Sequence, residues 1–400
     1  MSLKIVHTAD IHFGVENYGK IDYKTGIHSR ILDFKKSVDF CINYSISNNI
    51  DCFIFSGDAY KNSHPTPTAQ KMLLNSFSKL LDAGIPIIIV VGNHDYPGNS
   101  IKTHALDVFN YLRCENCYIV SIPEIIYLNT KNGPLQIVGI PWPTRNCLGR
   151  FGINLSNDIS QIISKTISNL IKDFANKLDK NIPSILAGHM TLSNGLFSGS
   201  ERTSIIGKDP IFNVNDIAIE PFDYIALGHL HRHQNLNIKG YPPVIYSGSP
   251  DIIDFGEIND EKGFCEVNII EKGNVKINFI KTPIRPFFEF FFDISNKNSA
   301  EKEINEIIKQ YDLTSSIIKI KYKVKNNDYI STSSINNFLQ NTWFIADIKC
   351  INEIKNEKRG LKCQISSKDS LKEMIITYIS NYQQYNKNIE KYITEIEKYL

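Results

Sequence analysis

The stretch IPIIIVVGNHD, residues 85–95, runs apolar from Ile85 to Val91 and then breaks into Gly92, Asn93, His94 and Asp95. A short run with no polar alternation, bounded by a turn residue, reads as a strand buried on both faces. The same grammar recurs on either side of it. LKIVHTAD (3–10) ends in Asp10, and DCFIFSGD (51–58) ends in Gly57–Asp58. Between these runs, 31–47 and 68–83 carry apolar residues at helical spacing. A β-α-β-α-β order with continuous apolar strands predicts an α/β fold, a largely parallel sheet with helices on its faces. Further strands are expected at 135–140, 183–188, 223–228 and 243–247, with a helix over 159–178.

The pattern changes near TPIRP (282–286), where two prolines interrupt it. Beyond lie a strand (287–295), a helix (299–311), a strand (317–324), a short helix (333–340) and a strand (343–351). These predict a small α+β module over 284–354, after a main domain of 1–283. KNEKRG (355–360) reads as a linker. From 368 to 400, Leu371, Ile375, Tyr378, Tyr382, Tyr385, Ile389, Tyr392, Ile396 and Tyr399 alternate spacings of four and three. Such a narrow, sustained seam suits a long helix that packs on its own domain or on a partner helix.

Composition sets broad limits. A net charge of +2 excludes a uniformly basic nucleic-acid binder and leaves room for a local basic groove. The apolar start, Leu3–Val6, is too short for a signal peptide, and no run approaches the ~18 apolar residues of a membrane span. The expectation is a cytoplasmic or otherwise intracellular protein with no membrane association. Of eight cysteines only Cys114 and Cys117 form a CxxC, with no second pair to complete a zinc ribbon.

Ten histidines occur in 400 residues, and GHLHRHQ (228–234) holds three of them at alternate positions. On a strand they would share one face. Five segments end in metal-ligand types: Asp10 and His12, Asp58, Asn93 with His94 and Asp95, His189, and His229 with His231. Ligands of open α/β sheets gather at the carboxyl ends of strands, so neighbouring strands would bring these residues together. Glycine precedes four of the segments, at Gly57, Gly92, Gly188 and Gly228, and is expected to permit the turn. Two carboxylates, an amide oxygen and four imidazoles fit two divalent ions sharing a carboxylate, with Asp58 as the natural bridge. Nitrogen and oxygen ligation without thiolate points to manganese, iron or zinc.

The order DxH–GD–GNHD–GH–GHxH resembles that of the calcineurin-like metallophosphoesterases. That resemblance implies an α/β/β/α sandwich. It implies one metal on Asp10, His12, Asp58 and His231, and another on Asp58, Asn93, His189 and His229. It also implies a non-ligating His94 that protonates the leaving oxygen or stabilises the charged phosphorane. GDAYKNSHPTP (57–67), GIPWPTR (139–145) and the run from GHLHRHQ through YSGS, DFGE and KGF to residue 264 are similar to the SbcD nucleases of DNA double-strand-break repair. This narrower likeness implies a manganese-dependent DNA exonuclease and endonuclease, a homodimer, a capping module facing DNA, and a C-terminal helix docking the coiled coil of an SbcC-type ATPase. Some members carry histidine three residues after the GD aspartate, where this chain has Lys61, followed by His64. Lysine pairs with phosphate as a point charge but does not shuttle protons near neutral pH as readily. Candidate DNA contacts are Lys61, Arg30, Arg145 and Arg202, with Lys20 and Lys24. The competing readings are a small-molecule metallophosphatase or phosphodiesterase, and a non-catalytic assembly subunit.

Overall fold

The computed structural model describes residues 2–97, 103–111, 115–144, 159–199, 209–293, 300–323, 339–340 and 342–351. Four short parallel strands open the chain: β1 (Leu3–Thr8), β2 (Cys52–Phe55), β3 (Ile87–Val90) and β4 (Cys117–Val120). Helices α1 (Ser29–Ser47) and α2 (Pro67–Asp82) cross between the first three. Both helices start on side-chain caps. His28 Nδ1 accepts from Arg30 N–H, and Thr66 Oγ1 accepts from Ala69 N–H with Pro67 following as the first helical residue.

A second six-stranded sheet follows. β5 (Glu124–Thr130) is antiparallel to β6 (Gly133–Ile140), and β7 (Ser184–His189) lies parallel beside β6. β8 (Thr191–Leu192) and β9 (Ile211–Phe212) form a separate two-stranded ribbon. β10 (Tyr224–Gly228) pairs parallel with β7 and with β12 (Val244–Tyr246), and β11 (Gln234–Asn235) closes the edge beside β12. The chain then returns through β13 (Gly263–Glu271) and β14 (Asn274–Lys281), an antiparallel hairpin added to the first sheet beside β1.

Three apolar clusters define the layers. Ile5, Ile54 and Ile88 of the first sheet meet Ile137, Ile185 and Tyr224 of the second between the two sheets. Val6, Phe53 and Ile89 point the other way, onto Phe34, Val38, Leu73 and Phe77 of α1 and α2. Val138, Leu186 and Ile225 pack on Ile163, Ile167 and Ile171 of the helix Ile159–Lys177. The architecture is therefore α/β/β/α, as expected. A single parallel sheet would have explained the apolar strands equally well, because each is covered on both faces in either arrangement.

The chain divides into two compact units. One comprises Met1–Phe290, Gln310–Lys319 and Phe338–Asp347, and the other Phe291–Lys309, Ile320–Asn337 and Ile348–Leu400. The division does not fall at the prolines of 282–286. Strands β15 (Phe287–Asp293), β16 (Ile317–Lys323) and β17 (Phe344–Cys350) form a three-stranded sheet, and each begins in the first unit. Apolar packing explains this: Phe287 and Ile317 are buried with Ile252 and Phe255, and Trp343 and Phe344 pack against them. Most of the expected 333–340 helix, the 355–360 linker, the 368–400 seam and Cys114 lie outside the described residues. Among the described residues no helix is long and apolar enough to cross a membrane.

Candidate metal centre

Five parallel strands from the two sheets end at one edge. β1 runs out at Thr8 into Asp10 and His12, β2 at Phe55 into Asp58, and β3 at Val90 into Asn93 and His94. β7 ends on His189 itself, and β10 at Gly228 just before His229. The first two of these loops are zipped together: Asp10 N–H donates to Gly57 O at 2.9 Å and His12 N–H to Asp58 O at 3.1 Å. His229 N–H reaches both carboxylate oxygens of Asp10 at 3.1 Å, which joins the two sheets at the site. His94 N–H holds Asp58 Oδ1 at 2.9 Å.

The backbone here is unusual. Asp10, His12, Asp58 and His229 have φ of 56°, 52°, 57° and 106°. Non-glycine residues seldom adopt the left-handed region, and such strain gathers at functional sites. The glycines serve a different end from the one the sequence suggests. Of the four that precede the motifs, only Gly57 is left-handed, at φ +99°. A Cβ on Gly228 would sit 2.1 Å from Ser56 O, so there it is close approach rather than turning that excludes a side chain.

The side chains converge. Asp10, His12 and His231 form one group of potential ligand atoms within 4.8 Å of one another, as do Asp10, Asp58 and His189, and likewise His12, Asp58 and His94. Asn93 Oδ1 lies 2.8 Å from His189 Nε2 and 3.1 Å from His229 Nδ1. His189 Nδ1–H donates to Ser56 O at 2.7 Å, so its Nε2 turns to the pocket. His12 Nε2 and His231 Nε2 face each other at 3.1 Å. The buried Nε2 of His229 has no hydrogen-bond partner among the described residues. An orphaned nitrogen and crowded oxygen and nitrogen acceptors, buried or half-buried, are what a cation would satisfy.

Protonation divides the donors: two rings are ready to ligate, whereas His189 and Asp10 would have to release a proton to do so. Burial, then neighbouring His189, holds His229 down to about 3, and burial holds His12 well below its usual value. Both rings are thus neutral, the form that ligates metal. Burial pushes Asp10 up to about 7 against the pull of His189 and His231. Burial would raise Asp58 too, but the imidazoles around it, His189 first, hold it well below the carboxylate range. His189 is drawn up to about 9, its burial outweighed by Asp58. The chemistry of this donor set, buried oxygens and imidazole nitrogens, suits divalent metal ions.

His94 is half-buried at the margin, its Nδ1–H donating to Lys61 O at 2.8 Å and its ring 4.8 Å from that of His12. Asp95 is a backbone clamp. It is buried and accepts from Ala59 N–H, Tyr60 N–H and Gly92 N–H, tying the Asp58 loop to the Asn93 loop. Burial and the charge of Asp58 raise its carboxyl to about 6.

Other expectations need correction. β10 stops at Gly228, so His229 and His231 lie in a loop rather than on one face of a strand. His233, never among the expected ligands, lies away from the site: it stacks on Phe279 at 4.1 Å and its Nδ1–H meets Tyr246 O at 3.1 Å. Arg30 is not a DNA contact. It is 0% exposed, paired with Asp33 at 2.9 Å and Asp251 at 3.4 Å, and lies over the Phe34 and Phe287 rings. A guanidinium so enclosed cannot reach a phosphate. Lys61, Lys20, Lys24 and His64 are exposed or half-exposed, whereas Arg145 and Arg202 lie outside the described residues. Trp142 was missed as a site residue. Its ring stands 4.8 Å from His229 and 5.8 Å from His189, and its only signal was its place in GIPWPTR.

Residues 3–233 match the calcineurin-like phosphoesterase family. The chain is 26% identical over 332 residues to the SbcD component of the SbcCD nuclease of Staphylococcus epidermidis, covering 81% of this chain and 77% of that one. A dimetal phosphatase from Danio rerio superposes with TM-score 0.40 at 9% identity, covering 70% of this chain and 99% of the other. A 5'-nucleotidase precursor from Thermus thermophilus does so with 0.35 at 15% identity, covering 71% and 55%. The family match spans more than half the residues and contains every candidate ligand, and so the chain belongs to the calcineurin-like phosphoesterases, with an SbcD-like sequence.

Proposed function

We propose that this protein is a metal-dependent DNA nuclease, cleaving phosphodiester bonds exonucleolytically and endonucleolytically at a two-metal centre with manganese as the working metal. Asp10, His12, Asp58 and His231 would hold one ion, and Asp58, Asn93, His189 and His229 the other. When bound, the ions acidify a water to give a nucleophile near neutral pH and neutralise the phosphate oxygens.

The remaining chemistry belongs to the chain. His94 is fixed at two points, its N–H on Asp58 and its Nδ1–H on Lys61 O. That leaves Nε2 to carry the proton passed to the leaving oxygen, or to stabilise charge on the phosphorane. Lys61, exposed on the same loop, supplies a point charge to phosphate. The hydrogen bonds that join the loops at the strand ends keep the donors in place before substrate arrives.

The observation that carries the reading is the convergence of seven buried or half-buried nitrogen and oxygen donors from five strand ends, with His229 Nε2 unpaired. The choice of DNA leans on the likeness to SbcD of the SbcCD nuclease. On that basis the working assembly is a homodimer with an SbcC-type ATPase in DNA end processing and double-strand-break repair. Segment 284–354 faces DNA and 368–400 docks the coiled coil.

The test is cleavage of linear duplex and hairpin DNA by the purified chain, with manganese, magnesium or chelator, beside His94→Ala. Manganese-dependent cleavage lost in the variant supports the proposal. Rapid hydrolysis of a small phosphodiester with DNA untouched, even with the ATPase added, would sink it in favour of a small-molecule phosphodiesterase.

A further inference from the structure

Glu257 and Lys262 belong to DFGEINDEKGF (254–264), a stretch that the ligand set leaves without a role. Both carry charge, and both are buried, at 0% and 2% exposure. Desolvating such a pair costs about as much as pairing returns, so stability alone is a poor reason for it.

Its contacts supply a better one. Glu257 Oε1 accepts from His231 Nδ1–H at 2.7 Å. Oε2 accepts from Lys262 Nζ at 2.7 Å and from Ile253 N–H at 2.9 Å. Lys262 Nζ also donates to His231 O at 3.1 Å and to Ser249 Oγ at 2.8 Å. The pair therefore grips His231 by ring and by backbone. An ionised carboxylate only accepts, so the ring proton sits on Nδ1. Nε2 is then the bare nitrogen, and it is the one facing His12 Nε2 at 3.1 Å in the group with Asp10.

We propose that Glu257 is a positioning residue of the metal centre and Lys262 its counter-ion. Together they lock His231 as the Nδ1–H tautomer, aim Nε2 at the metal and raise its strength as a donor. A carboxylate behind a ligating histidine fixes ring orientation and basicity in this way, and its removal commonly costs about 10- to 100-fold in metal affinity. The inference rests on the metal-binding reading above and not on DNA as the substrate.

Nitrogen-15 spectra of the full chain, labelled at histidine, read the tautomer directly. His231 is expected to carry its proton on Nδ1, and titration with diamagnetic zinc should move its Nε2 signal. Alongside, the double variant Glu257→Gln/Lys262→Met keeps the charge balance. Manganese affinity measured by chelator competition should fall roughly 10- to 100-fold in it while the circular dichroism stays native. A proton found on Nε2 of the wild-type ring would overturn the proposal, and so would a folded double variant that binds manganese as tightly as wild type. If the double variant does not fold, the wild-type tautomer decides alone. Neither readout involves DNA, so failure of the nuclease reading would be seen separately.

Discussion

His94 and Gly228 illustrate two ways a single residue can matter to this site. On the proposed roles His94 acts on the leaving oxygen and does not ligate, so His94→Ala should leave metal stoichiometry unchanged while lowering the cleavage rate by about 10²–10⁴-fold. Initial rates beside metal content by mass spectrometry check both halves. Loss of metal together with activity would make His94 a ligand instead. Gly228→Ala acts on the scaffold. Its new Cβ would lie 2.1 Å from a backbone oxygen, which cannot swing aside as a side chain can. A destabilisation of about 1–3 kcal/mol is expected, read as a lower urea midpoint. The left-handed φ of Asp10, His12, Asp58 and His229 could not be read from residue types, because aspartate and histidine carry no signal that demands it. It accompanies long-range contacts: the zipped loops at Asp10, His12 and Asp58, and the His229 N–H on Asp10.

At the scale of elements, α1 and α2 cover one face of the first sheet, and Asp39 ties them together. Its carboxylate on α1 takes Lys35 from the same helix, and Ser76 Oγ at 2.8 Å and Lys79 at 3.2 Å from α2. Burial would raise Asp39, but Lys35, Ser76 and Lys79 outweigh it and lower its pKa. A folded-state pKa below the unfolded one means stability that is present above the unfolded value, roughly 3.9, and lost as pH falls through the folded value. Asp39→Asn should therefore cost up to about 1 kcal/mol at neutral pH and progressively less in acid. Urea unfolding of both proteins across that range tests it, and a difference that does not shrink in acid would assign the effect to packing. The strands themselves were legible as apolar runs, and their ends fell within a few residues of expectation. β4, β5 and β14 were not foreseen, because alternating or half-exposed sequence at a sheet edge lacks that signature, and β13, though buried inside the sheet, is broken by the polar Glu266 and Asn268.

For the whole molecule, the buried arginine marks where sequence reading failed. Arg30 draws together α1, the 251–252 turn and Phe287, and Arg285 reaches the same Asp33 at 2.7 Å. Arg30→Met leaves Asp251 buried without its cation and should cost about 3–5 kcal/mol, measured by thermal unfolding. If DNA is the substrate, the salt dependence of binding separates structural from contacting cations. Lys61→Ala should lower the log–log slope by about one ion, while a folded Arg30 variant leaves it unchanged. An altered slope for Arg30→Met would restore it as a phosphate contact.

The sequence by itself determined the family and where candidate donors would gather. Apolar runs ending in Asp, Asn and His mark those donors because buried parallel strands need unbroken apolar residues, and loops at their carboxyl ends are free to hold polar ones. Only the tertiary structure decided which charges serve the site and which serve the fold. Arg30 and Lys61 are both cations flanked by ordinary residues, and Glu257 is one acid among 42 acidic residues. What distinguishes them is the partner each meets from more than about 20 positions away. Asp251 encloses Arg30 at 3.4 Å and Glu257 reaches His231 at 2.7 Å, whereas Lys61 keeps its side chain exposed. Those pairings come from bringing distant loops and a helix together, which no local pattern encodes.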